Sequence, residues 1–574
     1  METTETAQPV SSEPDVSRSL WVTLLFFSFA LLLLLYNLGG AALFEPDEGR
    51  NAEIAREVLL LNDWTTPHYN FTPRLEKPMA YYALTALGYK LLGVSEWTAR
   101  LPSALSGFAA IVAIFFFVRP LLGPWPALWS GLVLATCVGH YAFSRIVKLD
   151  MTLSLFIVLA LCAFYRASVA GSRREKRLSY LSMYAAAGAA TLVKGPIGFV
   201  LPGMIVFLYI LARNRWALLK EMELPWGILL FVAIVAPWYA WAESRNPGYL
   251  SYFLGQENFT RFLTSHFRRD KGWYFFAAVA LAGFLPWSCL IPAIVRRLKR
   301  QRLDDLSLYL LLWALAPVVF YSFSSSKLAE YILPVFPALA ILAGKTIAEM
   351  LEESSRRGLW QLSLPWMAQC LLVVYFAAGA IRPAVLPRPM HEAVLRSPGT
   401  AAALIGALVI LLVISAFAVR FIRADQQGRF LVAWAILFFF SFAFVNRLIE
   451  PLSETRSYRE LAEKTAPLIR PGDRLVVYDT FLASLPFYLR VREPIWYVWP
   501  GEKSSVMGSV YAAEKRPPPA AGYGKVLFTF EEFFEAWKGS ARRPLVFIKH
   551  KNLKQLGDAT LLTQVNDIAV AVNK

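Results

Sequence analysis

The side chains best suited to chemistry in this sequence are concentrated in one polar loop, residues 44–78. The loop begins with FEPDEGR and ends with LEKP, so three acids and an arginine stand in its first seven residues. The sequence around it is apolar, and an ion beside a bilayer must be paired or used, because removing it from water is costly. This pattern predicts a catalytic acid and phosphate-binding cations in an enzyme that acts on a lipid-linked substrate at the membrane surface.

Each of these acids also has a purely structural alternative. Asp47 is placed to cap the helix that follows it, and Asp150 directly precedes an apolar span that it would cap in the same way. Glu76 and Lys77 would form a loop ion pair before a helix that starts at Pro78. The spacing of the residues leaves these alternatives open.

Composition places the chain in the membrane class. Of its 574 residues, 56% are hydrophobic and only 17% are charged, which is too apolar for a soluble globular protein of this length. The formal net charge is +17, but the basic residues lie in loops between apolar runs. That placement favours membrane topology and lipid phosphates over nucleic acid as the reason for the charge.

Apolar runs long enough to cross a bilayer recur as far as residue 447. The first is too long for a signal peptide and has no clear cleavage site, so we expect it to be retained. The four cysteines lie inside such runs and are predicted to be core residues. We predict an α-helical polytopic membrane protein with about 13 spans, at 20–43, 101–118, 125–143, 151–167, 178–193, 197–211, 224–241, 273–295, 306–323, 329–351, 364–381, 400–419 and 430–445.

Lysine and arginine clusters alternate between the two sides of this set of spans. Loops such as 173–177 and 296–302 are strongly basic and are cytoplasmic by the positive-inside rule. The segments that then share the outer face are 44–78, 145–150, 243–272, 324–327 and the C-terminal tail.

Two short helices are predicted in the outer segment 44–92. The first follows Asp47 and is amphipathic, so it should lie in the plane of the membrane interface. The second covers 79–92 and carries Tyr81, Tyr82 and Tyr89, which suit the headgroup level.

The composition becomes that of a soluble domain after residue 446. Strand-like and helix-like runs alternate there, which indicates a small α/β domain. We therefore divide the chain into a transmembrane catalytic domain at 1–447 and a soluble extracytoplasmic α/β domain at 448–574. The strand-like runs are 474–478, 495–499, 525–530 and 544–549, and the helix-like runs are 458–469 and 531–538.

The order of the polar motifs resembles that of bacterial membrane glycosyltransferases that use polyprenyl-phosphate sugars. These are the lipid A aminoarabinose transferases, which share a superfamily with the protein O-mannosyltransferases. The resemblance covers nearly the whole chain and implies the GT-C architecture with a soluble outer C-terminal domain. One departure is RDKGWY at 269–274, where the family pattern is R-Y-x-P-x-W-Y. The matching motifs are DEGRNAEIA at 47–55, EKPM at 76–79, KLDM at 148–151, ENFTRF at 257–262 and SKLAEYILP at 326–334.

The resemblance implies that an acceptor hydroxyl attacks the anomeric carbon of the sugar while the polyprenyl phosphate leaves. A carboxylate suits the general base, and cations stabilise the charge that the leaving phosphate gains. The catalytic residues implied are Asp47 and Asp150. The phosphate-binding residues implied are Arg50, Lys77, Lys327 and Tyr331.

A divalent metal ion near the phosphate, zinc by its ligand chemistry, is also implied by the resemblance. Its ligands would be Glu76 and His266, with phosphate or water completing the coordination. His266 has no neighbours at metal-ligand spacing, so a hydrogen bond to a headgroup remains its alternative.

We expect a glycosyltransferase of the bacterial cytoplasmic (inner) membrane, with its active site and C-terminal domain on the periplasmic side. Its partners would be a polyprenyl-phosphate sugar donor, a lipid or glycan acceptor and membrane lipids, with no nucleic acid. Lipid A that receives 4-amino-4-deoxy-L-arabinose is the leading acceptor, and a protein hydroxyl or another surface glycan is the alternative. A lipid flippase or transporter is the alternative from another class, although the two halves of the chain show no repeat. A non-catalytic scaffold has little support in the sequence.

Overall fold

The computed structural model of the chain describes residues 16–260, 271–300, 303–353, 361–369, 427–499 and 505–573 except 540–541, with a few isolated residues besides. Within those ranges the apolar part is helical and the C-terminal part contains a mixed sheet. The helices of the apolar part are α1 (Val16–Leu35), α2 (Asp47–Leu61), α3 (Ala80–Leu92), α4 (Glu96–Leu122), α5 (Pro124–Thr136), α6 (Val138–Phe143), α7 (Asp150–Val169), α8 (Arg173–Lys194), α9 (Ile197–Arg213), α10 (Leu218–Glu221), α11 (Leu224–Arg245), α12 (Phe275–Gly283), α13 (Ile291–Arg300), α14 (Asp305–Ser322), α15 (Val335–Glu353) and α16 (Gln427–Glu454).

Helix α4 illustrates how the sequence sets the ends of a span. Ser95 is its N-cap and accepts a hydrogen bond from the Thr98 N–H, and Glu96 complements the helix dipole in the first turn. The helix ends before Gly123, whose φ of +93° is one that residues with a Cβ avoid. Its 27 residues rise about 40 Å in total, enough to cross a bilayer.

Five helices of the described chain are long and apolar enough to span a membrane, namely α4, α7, α11, α14 and α16. A sixth results if Phe275–Gly283 and Trp287–Arg300, which are bent by 103°, form one span. Every predicted span within the described ranges is at least partly helical. The predicted total of about 13 stays a prediction, because 364–381 and 400–419 lie mostly outside the described residues.

Several predicted spans differ in detail from the helices observed. The run at 125–143 is divided between α5 and α6, because Cys137 is extended. The run at 273–295 bends at Pro286, and the run at 329–351 begins as a 3₁₀ turn before Pro334. Proline lacks the N–H that a helix interior needs, which explains the two later breaks. Helix α1 ends at Leu35, short of the predicted end at residue 43.

The charged face of α2 is covered rather than exposed, unlike that of a helix lying freely in the interface. Glu53, Arg56 and Glu57 are all buried. Arg56 pairs with Glu53 at 2.6 Å and donates a hydrogen bond to the Val491 carbonyl of the C-terminal domain at 2.7 Å. The C-terminal domain therefore forms part of the surroundings of α2, which the sequence pattern did not reveal.

Helix α3 buries the tyrosine face that the sequence predicts to lie at the headgroup level. Tyr81, Tyr82 and Tyr89 are buried, whereas Leu84 and Leu91 are 45% and 71% exposed. These tyrosines therefore face the protein interior and not lipid headgroups, and the leucine stripe is the exposed face. Between α2 and α3 lies a small hairpin of β1 (His68–Tyr69) and β2 (Thr72–Pro73).

The C-terminal domain is built on a six-stranded sheet in the order β5-β4-β3-β6-β8-β7. The four strands β5, β4, β3 and β6 are parallel, and β8 and β7 continue the sheet in antiparallel pairing. The strands are β3 (Arg474–Tyr478), β4 (Trp496–Val498), β5 (Leu527–Phe528), β6 (Pro544–Lys549), β7 (Thr560–Val565) and β8 (Ile568–Val572), and the helices are α17 (Arg459–Thr465), α18 (Leu485–Leu489), α19 (Val510–Lys515) and α20 (Phe530–Gly539).

The sequence predicts the four parallel strands but not the last two. Strand β7 is largely exposed and lacks the alternation of apolar and polar residues on which such a prediction depends. The division of the chain at residues 447 and 448 stays a prediction, and α16 continues past it to Glu454.

The C-terminal domain is attached to the 44–78 loop by side chains that bond backbone groups. Glu45 accepts hydrogen bonds from the N–H groups of Ala483 and Ser484, at 2.9 and 2.6 Å. Asn70 bonds both the carbonyl and the N–H of Ile495 at 2.8 Å. Burial raises the pKa of Glu45 to about 7, although the hydrogen bonds from Ser484 and Ala483 oppose the shift.

This raised pKa predicts a pH dependence of stability. Because the pKa of Glu45 in the folded protein is above its ordinary 4.5, its contribution to stability is complete below pH 4.5 and is lost as the pH rises through 7. We expect the melting temperature of the wild type to fall across this range relative to that of Glu45→Gln. Thermal unfolding in detergent at a series of pH values measures this, and parallel curves for the two proteins would contradict it.

Candidate active site

Charged side chains from distant parts of the chain meet at one end of several helices. Asp47 begins α2 and Asp150 begins α7, while Lys194 ends α8. Glu330 lies in the 3₁₀ turn Ala329–Ile332 before α15. Contacts among these groups bring the 44–78 loop, the segment before α7 and the turn before α15 together, as the charge pattern predicts.

Asp47 is contacted by two cations and remains accessible. Its Oδ1 accepts a hydrogen bond from Arg50 Nη2 at 2.6 Å, and its Oδ2 lies 2.9 Å from Lys148 Nζ. The side chain is 39% exposed. Pro46 is the N-cap residue of α2 and makes no side-chain cap, so Asp47 does not have the capping role that was its alternative.

Lys148 links Asp47 to Glu330, whose Oε1 lies 2.8 Å from Lys148 Nζ. Burial lowers the pKa of Lys148, but the carboxylates of Glu330 and Asp47 raise it more, so the pKa lies above its ordinary value. Lys148 therefore stays charged at neutral pH and holds Asp47 in place. It stands in the KLDM motif, but no sequence pattern assigns it a role.

Asp150 is buried and ion-paired to Lys194. The N-cap of α7 is Leu149, so Asp150 does not cap the helix. The Lys194 ammonium lies 4.6 Å from the centre of the Tyr331 ring, in a cation–π contact. This geometry makes Asp150 a positioning group for Lys194 rather than an accessible base.

Sequence reasoning missed Lys194 because it ends an apolar run that reads as an ordinary span. The only available signal was a lysine at the end of α8 that the charge pattern predicts to be outside, where the positive-inside rule expects few cations.

Lys77 belongs to a second cluster at the other end of the 44–78 loop. Its Nζ lies 2.5 Å from Glu257 Oε1 and donates to the Glu76 carbonyl at 2.8 Å. Glu257 is on the π-helix Ser251–Thr260 and is almost fully buried, whereas the Lys77 side chain is 22% exposed. The Lys77 ammonium is therefore paired with Glu257 on one side and partly accessible on the other.

Tyr82 of α3 lies between the two clusters. Burial raises the pKa of its hydroxyl to about 12, with Arg74 and Arg50 lowering it and Glu76 and Asp47 raising it. These four charges, which come from both ends of the loop, therefore act on one buried hydroxyl. The two ends also border the same residue of the C-terminal domain, because Arg74 donates to the Gly508 carbonyl at 2.8 Å and a Cβ on Gly508 would lie 3.3 Å from Arg50 Nη1. We call this group of residues the charged site, and its cations suit an anionic ligand.

Lys327 and Tyr331 lie at the edge of this site. Lys327 is buried, and its Nζ donates to the Ser324 carbonyl of its own turn at 2.6 Å. The Tyr331 ring contacts Lys194, as described above, and also stacks with Phe276 at 6.4 Å between centroids. Tyr331 therefore belongs to the first cluster, which is formed by Asp47, Lys148, Asp150, Lys194 and Glu330. Lys327 is connected to this cluster by the turn that carries Glu330.

A buried ion pair stabilises the backbone segments that carry the site residues. Arg100 of α4 donates to both carboxylate oxygens of Glu48 at 2.9 Å, and the two side chains are 2% and 3% exposed. Glu48 also accepts from the Val147 N–H, and Asn51 donates to the Val147 carbonyl. The start of α2 and the segment that carries Lys148 are thereby fixed to each other.

Breaking this ion pair should destabilise the protein. We expect Arg100→Ala to lower the free energy of unfolding by about 3–5 kcal/mol, because it leaves the Glu48 carboxylate buried without a cation. Thermal unfolding in detergent measures the loss. Arg166→Ala is the matched control, since its pair with Glu175 is about half exposed and should contribute little. Equal effects of the two substitutions would contradict the assignment.

The described residues do not by themselves form a zinc site. No group of three or more His, Cys, Asp or Glu side chains that could hold a metal occurs among them. Glu76 has one buried oxygen, Oε2, without a hydrogen-bond partner, but Arg74 Nε lies 3.5 Å from it and already supplies positive charge. The other predicted ligand, His266, lies outside the described residues, so the metal stays a prediction and no chemical step is assigned to it.

Known sequences resemble part of this chain. Residues 76–241 match the family described as Dolichyl-phosphate-mannose-protein mannosyltransferase. The undecaprenyl phosphate-alpha-4-amino-4-deoxy-L-arabinose arabinosyl transferase of Edwardsiella ictaluri is 32% identical over 360 residues, which are 61% of this chain and 65% of that protein. The protein of the same name from Pseudomonas aeruginosa is 30% identical over 58% of this chain and 60% of its own length. The chain thus spans slightly less than two thirds of these relatives.

The similarity of structure extends further. The crystal structure of ArnT from Cupriavidus metallidurans bound to undecaprenyl phosphate superposes with a TM-score of 0.82 and 26% sequence identity. The match covers 96% of this chain and 98% of that one, so it includes the C-terminal sheet. The predicted fold class, a GT-C-like helical membrane protein with a small α/β domain, is confirmed.

Proposed function

We propose that the chain is a GT-C membrane glycosyltransferase of the superfamily that contains the aminoarabinose transferases and the protein O-mannosyltransferases, and that it moves a sugar from undecaprenyl phosphate to a lipid acceptor. The observation that carries the proposal is an accessible carboxylate, Asp47, on the same charged site as Arg50 and Lys77. The relatives named for undecaprenyl-phosphate aminoarabinose support this donor, and lipid A or a related glycolipid is the acceptor proposed with it.

Transfer begins when an acceptor hydroxyl approaches the anomeric carbon of the bound sugar. Asp47 accepts the hydroxyl proton as the new C–O bond forms, which is the work of a general base. The bond from the anomeric carbon to the phosphate oxygen breaks at the same time, and its electron pair stays on the phosphate. Undecaprenyl phosphate then leaves as a phosphomonoester.

The cations of the site act on that departing phosphate. Arg50 and Lys77 are the proposed direct contacts, because both are partly exposed on the charged site. Fixed cations stabilise the charge that develops on the phosphate better than water does, because they need no reorganisation. Lys194, positioned by Asp150 and Tyr331, adds positive charge from the first cluster, and Lys327 contributes at its edge.

The protein is a multi-pass membrane protein, and we propose the bacterial inner membrane as its location. The basic loops, such as 173–177, would face the cytoplasm, and the charged site and the C-terminal domain would face the periplasm. The strong basic charge at the far ends of α7 and α8 from Asp150 and Lys194 supports this orientation.

A protein hydroxyl is the second candidate acceptor, because residues 76–241 match the mannosyltransferase family. A flippase or transporter would need a path through the bilayer. The charged groups described above instead lie at one end of the helices, which supports transfer chemistry at a surface.

Purified protein, undecaprenyl phosphate linked to 4-amino-4-deoxy-L-arabinose and lipid A test the proposal directly. We expect mass spectrometry to detect lipid A with one added pentosamine together with released undecaprenyl phosphate. A mannosyl donor with a peptide acceptor is the parallel reaction for the second candidate. Movement of the donor across vesicles without bond formation would contradict the enzyme and support a transporter.

A further inference from the structure

We propose that a turn of the C-terminal domain, Val506–Ser509, is part of the phosphate site and positions the groups that bind the donor. The inference rests on the proposed function, because it concerns the donor of that reaction. It gives the C-terminal domain a role at the donor site.

The turn is stiff by construction. Val506 and Ser509 form a bridge in which each N–H donates to the carbonyl of the other, at 3.0 and 2.8 Å. Met507 and Gly508 between them have φ of +50° and +65°, the left-handed pair that a tight two-residue turn requires. The bridge fixes the backbone, so the carbonyls of the turn point in set directions.

Those carbonyls bind the guanidinium of Arg74. Its Nη1 donates to the Met507 carbonyl at 3.1 Å and its Nη2 to the Gly508 carbonyl at 2.8 Å. The remaining edge of the guanidinium faces Glu76, with Nε 3.5 Å from Oε2. The turn therefore determines the position of the positive charge of Arg74.

Ser509 completes the contact with Glu76, since its hydroxyl donates to Glu76 Oε1. The same hydroxyl caps α19 by accepting a hydrogen bond from the Ala512 N–H at 2.9 Å. Both oxygens of Glu76 are thus oriented by neighbours, one by Ser509 and one by Arg74. Lys77 is the next residue, so the backbone that carries its ammonium is fixed from the C-terminal domain.

The turn also borders the other phosphate-binding residue. A Cβ on Gly508 would lie 3.3 Å from Arg50 Nη1 and 2.8 Å from Phe481 Cε1. A side chain there would force Phe481 or the turn to shift, because that separation from Phe481 is shorter than real Cβ contacts, and it would also crowd Arg50. Gly508 is therefore required by close approach as well as by its backbone conformation.

A third contact reaches the partner of Lys77. Tyr511, in the first turn of α19, packs on Tyr252 with ring centroids 4.8 Å apart. Tyr252 lies on the π-helix that carries Glu257, the carboxylate paired with Lys77. Within the described residues, the turn and the start of α19 therefore contact or border Arg50, Arg74, Glu76 and the helix of Glu257.

Donor kinetics of Ser509→Ala test this role. We expect the KM for undecaprenyl-phosphate-linked aminoarabinose to rise about tenfold, because a hydrogen bond to a charged group is lost. The KM for lipid A should stay within about twofold of the wild type, since no acceptor contact is altered, and Ser509→Thr should restore the donor KM because it keeps the hydroxyl.

Thr529→Ala separates positioning from folding. Thr529 caps α20 of the same domain, as Ser509 caps α19, but its hydroxyl bonds the Glu532 N–H and, within the described residues, no member of the charged site. We expect this control to lower the melting temperature about as much as Ser509→Ala while leaving the donor KM unchanged. Equal effects of both substitutions on the donor KM would overturn the proposal.

Gly508→Ala gives an independent reading of the same turn. Its Cβ should raise the donor KM through Arg50, without removing any hydrogen bond of Glu76. If the wild type is active and the donor KM is unchanged in both Ser509→Ala and Gly508→Ala, the role of the turn is contradicted but the proposed function is not. A folded wild type that transfers nothing from this donor contradicts the proposed function instead.

Discussion

Asp47→Asn should lower kcat for sugar transfer by about 10²–10⁴-fold, the range over which a positioned general base contributes. The amide keeps the size and one acceptor oxygen of the side chain but cannot take the proton of the acceptor hydroxyl. It also removes the charge that pairs with Arg50 and Lys148. Initial rates at saturating donor and acceptor measure the effect, with thermal unfolding to show that the variant is folded.

Asp63→Asn is the matched control for Asp47. Asp63 is an acid of the same loop, but its Oδ1 accepts hydrogen bonds from the Thr65 and Thr66 N–H groups and contacts no cation of the charged site. We expect its kcat to stay within about threefold of the wild type, the loss of a local turn bond being small. Wild-type turnover in Asp47→Asn would remove the base from the mechanism.

Lys77→Gln should lower kcat/KM for the donor by about 10²–10³-fold, the usual effect of losing one group that stabilises charge in a transition state. The leaving phosphate gains negative charge, and the amide offers it a weak donor without a positive charge. The substitution also leaves Glu257 without its cation, which repels the phosphate further. Steady-state rates over a range of donor concentrations measure the loss.

Two comparisons make this result specific. Lys90→Gln changes an exposed lysine of α3 outside the charged site and should leave kcat/KM unchanged. Glu257→Gln keeps Lys77 and removes the competing carboxylate, so it should retain far more activity than Lys77→Gln. A loss of equal size in Lys90→Gln would show that the effect comes from net charge rather than from Lys77.

The sequence predicts the helical architecture well because hydrophobic length is a local property. A run such as 151–167 needs no tertiary information to be recognised as a helix, and the structure places α7 there. Breaks within apolar runs depend on packing as well as on composition. The bend between α12 and α13 is signalled only by Pro286. The prolines inside α4 and α9 show that a proline is also compatible with a continuous helix.

The candidate site is harder to predict, because its partners are far apart in the chain. The carboxylate of Asp47 could be recognised from its loop, but its contact with Lys148 joins elements that periodicity cannot relate. Lys194 was missed because one lysine at the end of an apolar run is an ordinary feature of membrane helices. The role of Ser509 depends on a domain that the sequence divides from the membrane part, although the structure places it against Glu76.

The tyrosines of α3 show a related limit. Tyr81, Tyr82 and Tyr89 were assigned to the headgroup level because tyrosine is common there. The structure buries them instead, with Tyr81 bonded to Ser103 and Tyr89 to the Ala52 carbonyl. A helix in a loop has two candidate faces, and which one is buried depends on what packs against it.

The proposed mechanism requires that the phosphate of the donor bind between the two ends of the 44–78 loop. An experimental structure of the protein with undecaprenyl phosphate tests this most directly. We predict phosphate density in hydrogen-bond contact with Lys77 Nζ and the Arg50 guanidinium, on the side of the membrane that carries the C-terminal domain. Phosphate bound instead at the basic loop 173–177, with none beside Lys77, would contradict it.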